Sequence, residues 1–463
     1  MESQGPRLDV GPPGNPVPGR CSYFVQRKRR FCKMVVSEGK RLCGEHAQHG
    51  EEQNSRKRIP CPLDPKHTVY EDQLQKHLKK CNSREKPLPV FYMHNVNAGS
   101  LDRVSCEEQV AISSMSREDL QKFIEILVQV TTGLNTPLPD KKLRHWALQE
   151  ALNDPVNGES AAKHLKQQAS ILGHLDSLGL LGGSRCFVEF GAGRGKLSHW
   201  VDIALQDAEN VHFILVERAT TRFKVDGKQR KSTFERLHID IQHLCLDRVP
   251  SLVQKQLPVI GIGKHLCGAG TDLALRCLAQ TYFSPLGDPP CKRPRLNPTG
   301  DNSDEKGSSN SPLNQYSPVA GIVLALCCHH RCDWQFYVGR DFFKNLGLGQ
   351  REFNIFQRMS SWATCGFHKL ATDVSHAGKK NDPEDEEDNK DEQKNLDCNS
   401  ETIQRFLTVD EREHLGRLCK LLIDQGRLHY LKSIGYRPTL HYYTDPEVSL
   451  ENVLLTALPQ QHN

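Results

Sequence analysis

The 463-residue chain has no apolar run of membrane-spanning length, and no basic start that leads into an apolar stretch. The first absence argues against spanning helices and the second against a secretory leader. A soluble, intracellular protein with no membrane partner is therefore expected. Apolar residues are scarce, at 37% of the chain, and mean hydropathy is −0.57. That is low for a chain folded throughout, so disordered inserts around an ordinary core are expected. The length calls for two or three domains. Seventeen cysteines in such a chain argue for reduced thiols and metal ligation, not a disulfide framework.

Charge is unevenly spread. Residues 1–90 carry eighteen Lys and Arg against ten Asp and Glu, a net +8, which leaves the other 373 residues at −3 of the total +5. Basic segments that also bind metal commonly face phosphates. Arg27-Lys28-Arg29-Arg30 and Arg56-Lys57-Arg58 would equally serve nuclear import, so nucleus and cytoplasm are both open.

Residues 1–20 are rich in Pro and Gly and are expected to be disordered. Cys21, Cys32, Cys43 and His46 follow, with ten, ten and two residues between them. Four soft ligands in one small knuckle, residues 21–50, close a tetrahedral Zn²⁺ site with no open position, the structural kind. Tyr23, Phe24 and Phe31 lie among the cations. That pattern suits base stacking beside phosphate contact, and equally the miniature core of a finger too small for another. A second set, Cys61, His67, His77 and Cys81, has five, nine and three residues between ligands and falls in residues 56–84. Asp72–Lys80 reads as a short helix with Leu74 and Leu78 on one side, delivering His77 and Cys81 as an i, i+4 pair. This set resembles the CHHC finger shared by a minor-spliceosome protein and some tRNA methyltransferases. The resemblance implies RNA binding, where the spacing alone implies only metal.

Residues 87–105 read as a connector. In a helical segment over 106–182, Ser116 is the expected N-cap, with Asp119 at its capping-box position. Leu120, Phe123, Ile124, Leu127 and Val130 form an apolar stripe, barely two heptads long, which admits a coiled coil but suits an ordinary packed helix better. A second helix over Ala161–Leu181 carries Lys163, His164, Gln167 and Gln168.

The rest of the chain hangs on Phe187–Ser198, FVEFGAGRGKLS, which reads as a buried strand, a tight turn and a helix start. Glu189, Gly191, Gly193 and Gly195 alternate here, and glycines let backbone approach a ligand closely. The dinucleotide fingerprint wants a glycine where Lys196 stands. An acid two residues before the first glycine suits S-adenosylmethionine (SAM), whose cationic methionine end needs a nearby carboxylate. A methyl-donor site is the first reading and a nicotinamide site the second.

From residue 186 strand and helix alternate, which predicts an α/β domain over 183–459 with a parallel sheet. Cys186–Phe190 is the first strand. Asn210–Glu217 is the second, ending in an acid suited to the ribose hydroxyls of an adenosine. Phe234–Ile241 is the third, with Asp240 placed for the adenine edge, although an acid there also serves as a turn or cap residue. Val259–Leu266 is the fourth, and Ala320–Leu326 the fifth. Ligands bind outside the carboxyl ends of such strands, so Lys264, His265 and Asp272 should face the transferred methyl group.

The fifth strand empties into Cys327-Cys328-His329-His330-Arg331-Cys332. As a metal site this run has ligands enough, but neighbouring residues cannot all wrap one ion unaided. As a catalytic wall it offers imidazoles, His329 and His330, and a guanidinium, Arg331, for phosphate. Residues 284–317 and 374–400 read as disordered inserts, the second holding eight acids in Asp382–Glu392 to which no function is assigned. A long helix over Leu407–Ile434 and two strands, Arg437–Thr444 and Asn452–Leu458, close the chain as the mixed seven-stranded sheet of the Rossmann-like SAM-dependent fold closes.

The paired fingers, FVEFGAGRGKLS, GKHLCGAGTD at Gly263–Asp272 and ALCCHHRC at Ala325–Cys332 together resemble the eukaryotic tRNA 2'-O-methyltransferases that act on nucleotide four of the acceptor stem. The likeness spans nearly everything except the inserts. It implies SAM as cofactor, two structural zinc ions, tRNA as partner and a ribose hydroxyl as acceptor. By exclusion, Gly263–Gly268 lacks the Asp/Asn-Pro-Pro-aromatic turn of amine methylation, and the Pro-Cys turn of carbon-five cytosine methylation is only partly imitated by Cys267 or Cys327. The Lys-Asp-Lys-Glu set of other ribose methyltransferases is not recognisable. The general base is therefore open among His265, His329 and His330. Two rivals remain. One is a non-catalytic zinc-finger RNA-binding protein, against which the intact glycine motif and Glu217 argue. The other is a methyltransferase acting on a base or another RNA.

Overall fold

A computed structural model describes residues 17–26, 30–36, 38–43, 46, 57–81, 83–84, 87–99, 111–134, 138–206, 208–219, 232–280, 319–364 and 407–460. The expected inserts, residues 1–16 and Arg27–Arg29 lie outside the described residues. The chain forms two compact units, Met1–Leu88 and Pro89–Asn463.

In the first unit, β1 (Phe24–Val25) pairs antiparallel with β2 (Arg30–Phe31). Phe24 and Phe31 meet edge-on at 5.3 Å, and Tyr23 stacks on His46 at 4.0 Å. These rings pack on one another and on a ligand, which favours the miniature core over base stacking. Residues 17–20, expected within a disordered start, are held: Arg20 bridges Val35, and Val36 N–H donates to the Gly19 carbonyl. The next hairpin pairs β3 (Arg58–Cys61) with β4 (Asp64–Tyr70). The helix expected over Asp72–Lys80 is a 3-10 turn, Glu71–Gln73, followed by α1 (Leu74–Leu78). Leu74 and Leu78 close with Ile59 on Val69.

In the second unit α2 (Arg117–Thr132), α3 (Gln149–Asn153) and α4 (Glu159–Ser177) precede the sheet. Its strands are β5 (Arg185–Phe190), β6 (Val211–Glu217), β7 (Thr233–His238), β8 (Val259–Lys264), β9 (Val319–Ala325), β10 (Tyr436–Tyr442) and β11 (Val453–Pro459). Between them run α5 (Lys196–Ala204), α6 (Pro250–Lys255), α7 (Gly270–Gln280), α8 (Arg340–Asn345), α9 (Gln350–Met359) and α10 (Val409–Ser433). The order across the sheet is β10-β11-β9-β8-β5-β6-β7. Strands β5 to β9 pair in parallel, and β11 lies antiparallel to both β9 and β10. Counted from β5, this is third-second-first-fourth-fifth-seventh-sixth with the seventh reversed, the mixed sheet expected of a Rossmann-like methyltransferase.

Alternation along the strands buries both faces. Phe187, Phe213, Ile260 and Val323 meet Leu172 and Leu175 of α4 and Leu197 and Val201 of α5. Val188, Ile214, Ile322 and Leu324 meet Leu275 and Leu278 of α7 and Leu428 and Leu431 of α10. A third cluster gathers Leu120, Phe123 and Leu127 of α2 with Phe353 and Phe356 of α9 and Leu418 and Leu422 of α10, so the α2 stripe is a packed helix face. Caps set both helix starts: Ser116 Oγ accepts from Asp119 N–H at 3.1 Å. Thr408 and Glu411 form a reciprocal capping box. No helix among the described residues is long and apolar enough to cross a membrane.

The stretch read as a connector is in part a docked arm. Tyr92 bridges Leu244, and the fully buried Asn97 donates through Nδ2 to the carbonyls of Ile241 at 2.6 Å and Leu244 at 2.8 Å. A single amide thereby ties the arm to two backbone acceptors beyond the end of β7.

Candidate active site and metal centres

In the second finger the four donor atoms face one another. Cys61 Sγ lies 3.8 Å from Cys81 Sγ and 3.2 Å from His77 Nε2, and His67 Nε2 lies 3.1 Å from His77 Nε2 and 3.7 Å from Cys81 Sγ. Zinc bonds of about 2.0–2.3 Å in a tetrahedron separate donors by about 3.3–3.8 Å, so these residues fit the ion. In the first finger His46 Nδ1 is 3.5 Å from Cys21 Sγ and 3.3 Å from Cys43 Sγ, and Cys32 completes a set within 4.8 Å.

The glycine-rich turn sits between β5 and α5. Gly191, Gly193 and Gly195 all have left-handed backbone, with φ of 61°, 48° and 73°. A Cβ at Gly195 would lie 2.5 Å from Leu215 Cδ2, while one at Gly193 would meet nothing within 4 Å. Gly195 is therefore glycine for packing, and Gly193 leaves an open cradle of backbone that a ligand can approach. That cradle fits the adenosylated cofactor.

The acids around it have structural partners. Glu189 is buried, and its Oε2 accepts from Ser198 N–H at 3.0 Å and from Ser198 Oγ–H. Ser198 is the third residue of α5, whose N-cap is a glycine without a side chain, so Glu189 caps the helix in its place. Burial pushes its carboxyl up to about 7 against the lowering by Ser198. Glu217 at the end of β6 accepts from Gly193 N–H at 3.0 Å and Ala219 N–H at 2.8 Å, tying the turn to the neighbouring strand. Asp240 caps the 3-10 turn Ile241–His243 through Gln242 N–H and lies 3.5 Å from Arg218. Arg236 on β7, which sequence reasoning passed over, donates to the carbonyls of Gly193 at 3.0 Å and Arg194 at 3.1 Å. A charged residue in the middle of the expected third strand was the available signal.

Beyond β8, Lys264 Nζ lies 3.1 Å from His164 Nδ1 and also meets His265 Nε2. His164 comes from α4, so the helix ahead of the glycine turn reaches the strand ends. Beyond β9, His330 is half-buried, Arg331 is exposed, and burial lowers the His330 pKa. The contacts with Cys327 and Cys328 hold the Cys267 thiol well below its usual range, while the same cluster raises Cys327.

Asp272 and His329 stand elsewhere. Asp272 is fully buried on α7 and pairs with Arg427 of α10 at 2.7 Å. Arg427 also holds Asp424 at 2.9 Å, and Asp424 accepts from His329 Nε2 at 2.9 Å. Cys332 Sγ joins at 3.1 Å from Arg427. The expectation that Asp272 faces the methyl group is thereby corrected, and His329 leaves the set of candidate bases. Asp272 and Asp424 neutralise a guanidinium buried between two helices, and His329 is spent holding Asp424. Charges on the apolar side of α10 signalled such a network, but not its partners.

A cavity of about 620 Å³ opens beside the end of β10, lined by Lys142, Arg417, Lys420, Tyr442 and Glu451 among others. Its cations are matched: Lys142 with Asp140 and Asp445, Lys420 with Glu451, Arg417 with Glu413. It is not a bare phosphate cradle.

A family model described as methyltransferase TRM13 matches residues 166–458, across the sheet and the site just described. The chain belongs to the TRM13 methyltransferase family. Two further models match the fingers: a CCCH zinc finger in TRM13 protein over residues 19–47, and a U11-48K-like CHHC zinc finger over 58–82. The mouse protein named tRNA:m(4)X modification enzyme TRM13 homolog is 59% identical over 459 residues, 96% of this chain and 95% of that protein. The human protein of the same name is 59% identical over 461 residues, 96% of each chain. The yeast protein tRNA:m(4)X modification enzyme TRM13 (Saccharomyces cerevisiae) is 29% identical over 520 residues, 98% of each chain. No solved structure matches. Membership of the family makes the chain a methyltransferase with SAM as methyl donor and with zinc in its two fingers.

Proposed function

We propose that the chain transfers the methyl group of SAM to the ribose 2'-hydroxyl of nucleotide four in a tRNA acceptor stem. The observation that carries this reading is the meeting of His164, Lys264 and His265 at the carboxyl end of β8, beside a left-handed glycine turn with an open backbone cradle at Gly193. The relatives named tRNA:m(4)X modification enzymes, matched over nearly their whole length, support the substrate. The basic finger unit supports an RNA partner.

SAM, when bound, supplies an electrophilic methyl group on a sulfonium. Gly191 and Gly193 would give it backbone to lie against, Gly195 would keep the turn in shape behind them, and Glu217 and Asp240, at the ends of β6 and β7, would face its ribose and adenine. Lys264, as an ammonium, stabilises the oxygen that loses its proton. His265 gives Nε2 to Lys264, so its other nitrogen carries the ring proton. His330 is thereby left as the proton acceptor, with Arg331 exposed beside it to grip a flanking phosphate. These residues would hold the acceptor hydroxyl against the bound methyl donor, and that positioning would supply much of the acceleration.

The test is transfer from labelled SAM to unmodified tRNA transcripts, followed by nuclease digestion and mass spectrometry of the nucleosides. A 2'-O-methylated acceptor-stem nucleotide, lost in Gly191→Arg, is the expected result. A methylated base would refute the ribose reading. RNA binding without any transfer would favour the non-catalytic rival.

A further inference from the structure

We propose that Cys267, Cys327 and Cys328 form a third metal site, which takes a soft d¹⁰ cation of the zinc class through three thiolates and keeps a fourth coordination position open. The three sulfur atoms lie within 4.8 Å of one another. Cys267 Sγ is 3.7 Å from Cys327 Sγ and 3.2 Å from Cys328 Sγ. A tetrahedral zinc with bonds of about 2.3 Å sets its sulfurs about 3.8 Å apart. Cys61 and Cys81, in the finger the family model covers, stand at 3.8 Å.

The backbone is shaped to bring these thiols together. Consecutive residues of an extended strand point to opposite sides, so Cys327 and Cys328 could not both face Cys267 in a straight β9 continuation. Cys328 is left-handed, at φ 49°, and turns the chain. His265, two residues before Cys267, is left-handed too, at φ 64°. Such a conformation strains a non-glycine residue, and two cases at the ends of neighbouring strands mark a site that something else holds in place. Gly268 locks the two loops: a Cβ there would sit 2.5 Å from the Arg331 carbonyl oxygen.

A disulfide would use two of the thiols and strand the third. Cys267 instead has both partners within reach, the arrangement of ligands around a shared centre. The objection that adjacent residues cannot wrap an ion is met by the ligand from the next strand. Cys327 is buried, Cys328 half-buried and Cys267 exposed, so the open position faces solvent at the ligand end of the sheet, where water or a substrate oxygen can fill it. Each thiol binds as thiolate and gives its proton to solvent, so loading releases protons.

The test is the zinc content of the full-length protein, prepared under reducing conditions without chelator and measured by plasma mass spectrometry. The wild type is expected to hold three ions per chain, and Cys267→Ser and Cys328→Ser two each, with circular dichroism and the thermal midpoint reporting the fold. Cobalt loading gives a second reading in the wild type alone: the sulfur-to-cobalt absorption should continue to rise after two equivalents. Two ions in every form, or saturation of cobalt at two, overturns the proposal. So does a Cys267–Cys328 cross-link found by peptide mapping in freshly isolated protein.

Discussion

The two units are held together by opposite means. In the CHHC finger the fully buried residues are Cys61, Val69 and Cys81, so the ligands are most of the core. In the second unit two clusters of apolar side chains cover the two sheet faces, a third packs α2, α9 and α10 together, and the polar groups placed for ligands ride on strand ends above them. A fold whose core is its ligand set depends on the ion. A fold with an independent core leaves its site free to be shaped for chemistry, strained residues included.

Removing zinc should break the comparison most sharply. Structural zinc contributes on the order of 10–16 kcal/mol in small fingers, more than a hairpin and one helical turn can replace. Cys61→Ser should therefore leave amides 58–81 unprotected in hydrogen exchange while β5 to β9 stay protected. Next in size is Arg427→Met, which strands the carboxylates of Asp272 and Asp424 in the interior; about 3–5 kcal/mol should be lost from urea unfolding of the second unit, with the finger amides unaffected. Gly195→Ala combines a left-handed backbone with a clash on Leu215 and should cost about 2–4 kcal/mol. Gly193→Ala has open space and should cost only about 1–2 kcal/mol, yet both should weaken SAM binding by calorimetry.

The smallest effect is the pH dependence of the wild type, in which two buried groups act against each other. The Glu189 carboxyl is raised to about 7, so the stability its proton contributes is full below about 4.5 and is lost as pH rises through 7. Burial lowers His174 to about 4, so its contribution is present above 6.5 and is lost as pH falls towards 4. The two oppose each other in the window between and largely cancel. Glu189→Gln should uncover the histidine: relative to wild type, the variant should gain on the order of 3 kcal/mol between pH 5 and pH 7.5 in the apo protein. A difference that stays flat with pH would refute the assignment.

Legibility in the sequence followed the range of the interaction. Strands announced themselves by local apolar runs, and the structure shifts their ends by a residue or a few: Phe234–Ile241 becomes Thr233–His238 because Asp240 starts a 3-10 turn. Finger ligands were readable because metal spacing is local. Asp272 was misread because its partner lies 155 residues away on a helix whose inward charges have no local pattern. Cys267 was assigned no metal role for the same reason. It meets Cys327 and Cys328 only after β8 and β9 pair side by side, and no spacing rule connects them.

The most direct test of the account is single-turnover methyl transfer by Lys264→Met, His265→Gln and His330→Gln at saturating tRNA, read beside SAM affinity. The expected result is SAM affinity within about twofold of wild type, with transfer slowed 100-fold or more in Lys264→Met and His330→Gln and less in His265→Gln, as general acid–base and electrostatic contributions of this size require. Transfer at the wild-type rate in Lys264→Met would contradict the placement of the chemistry at these strand ends.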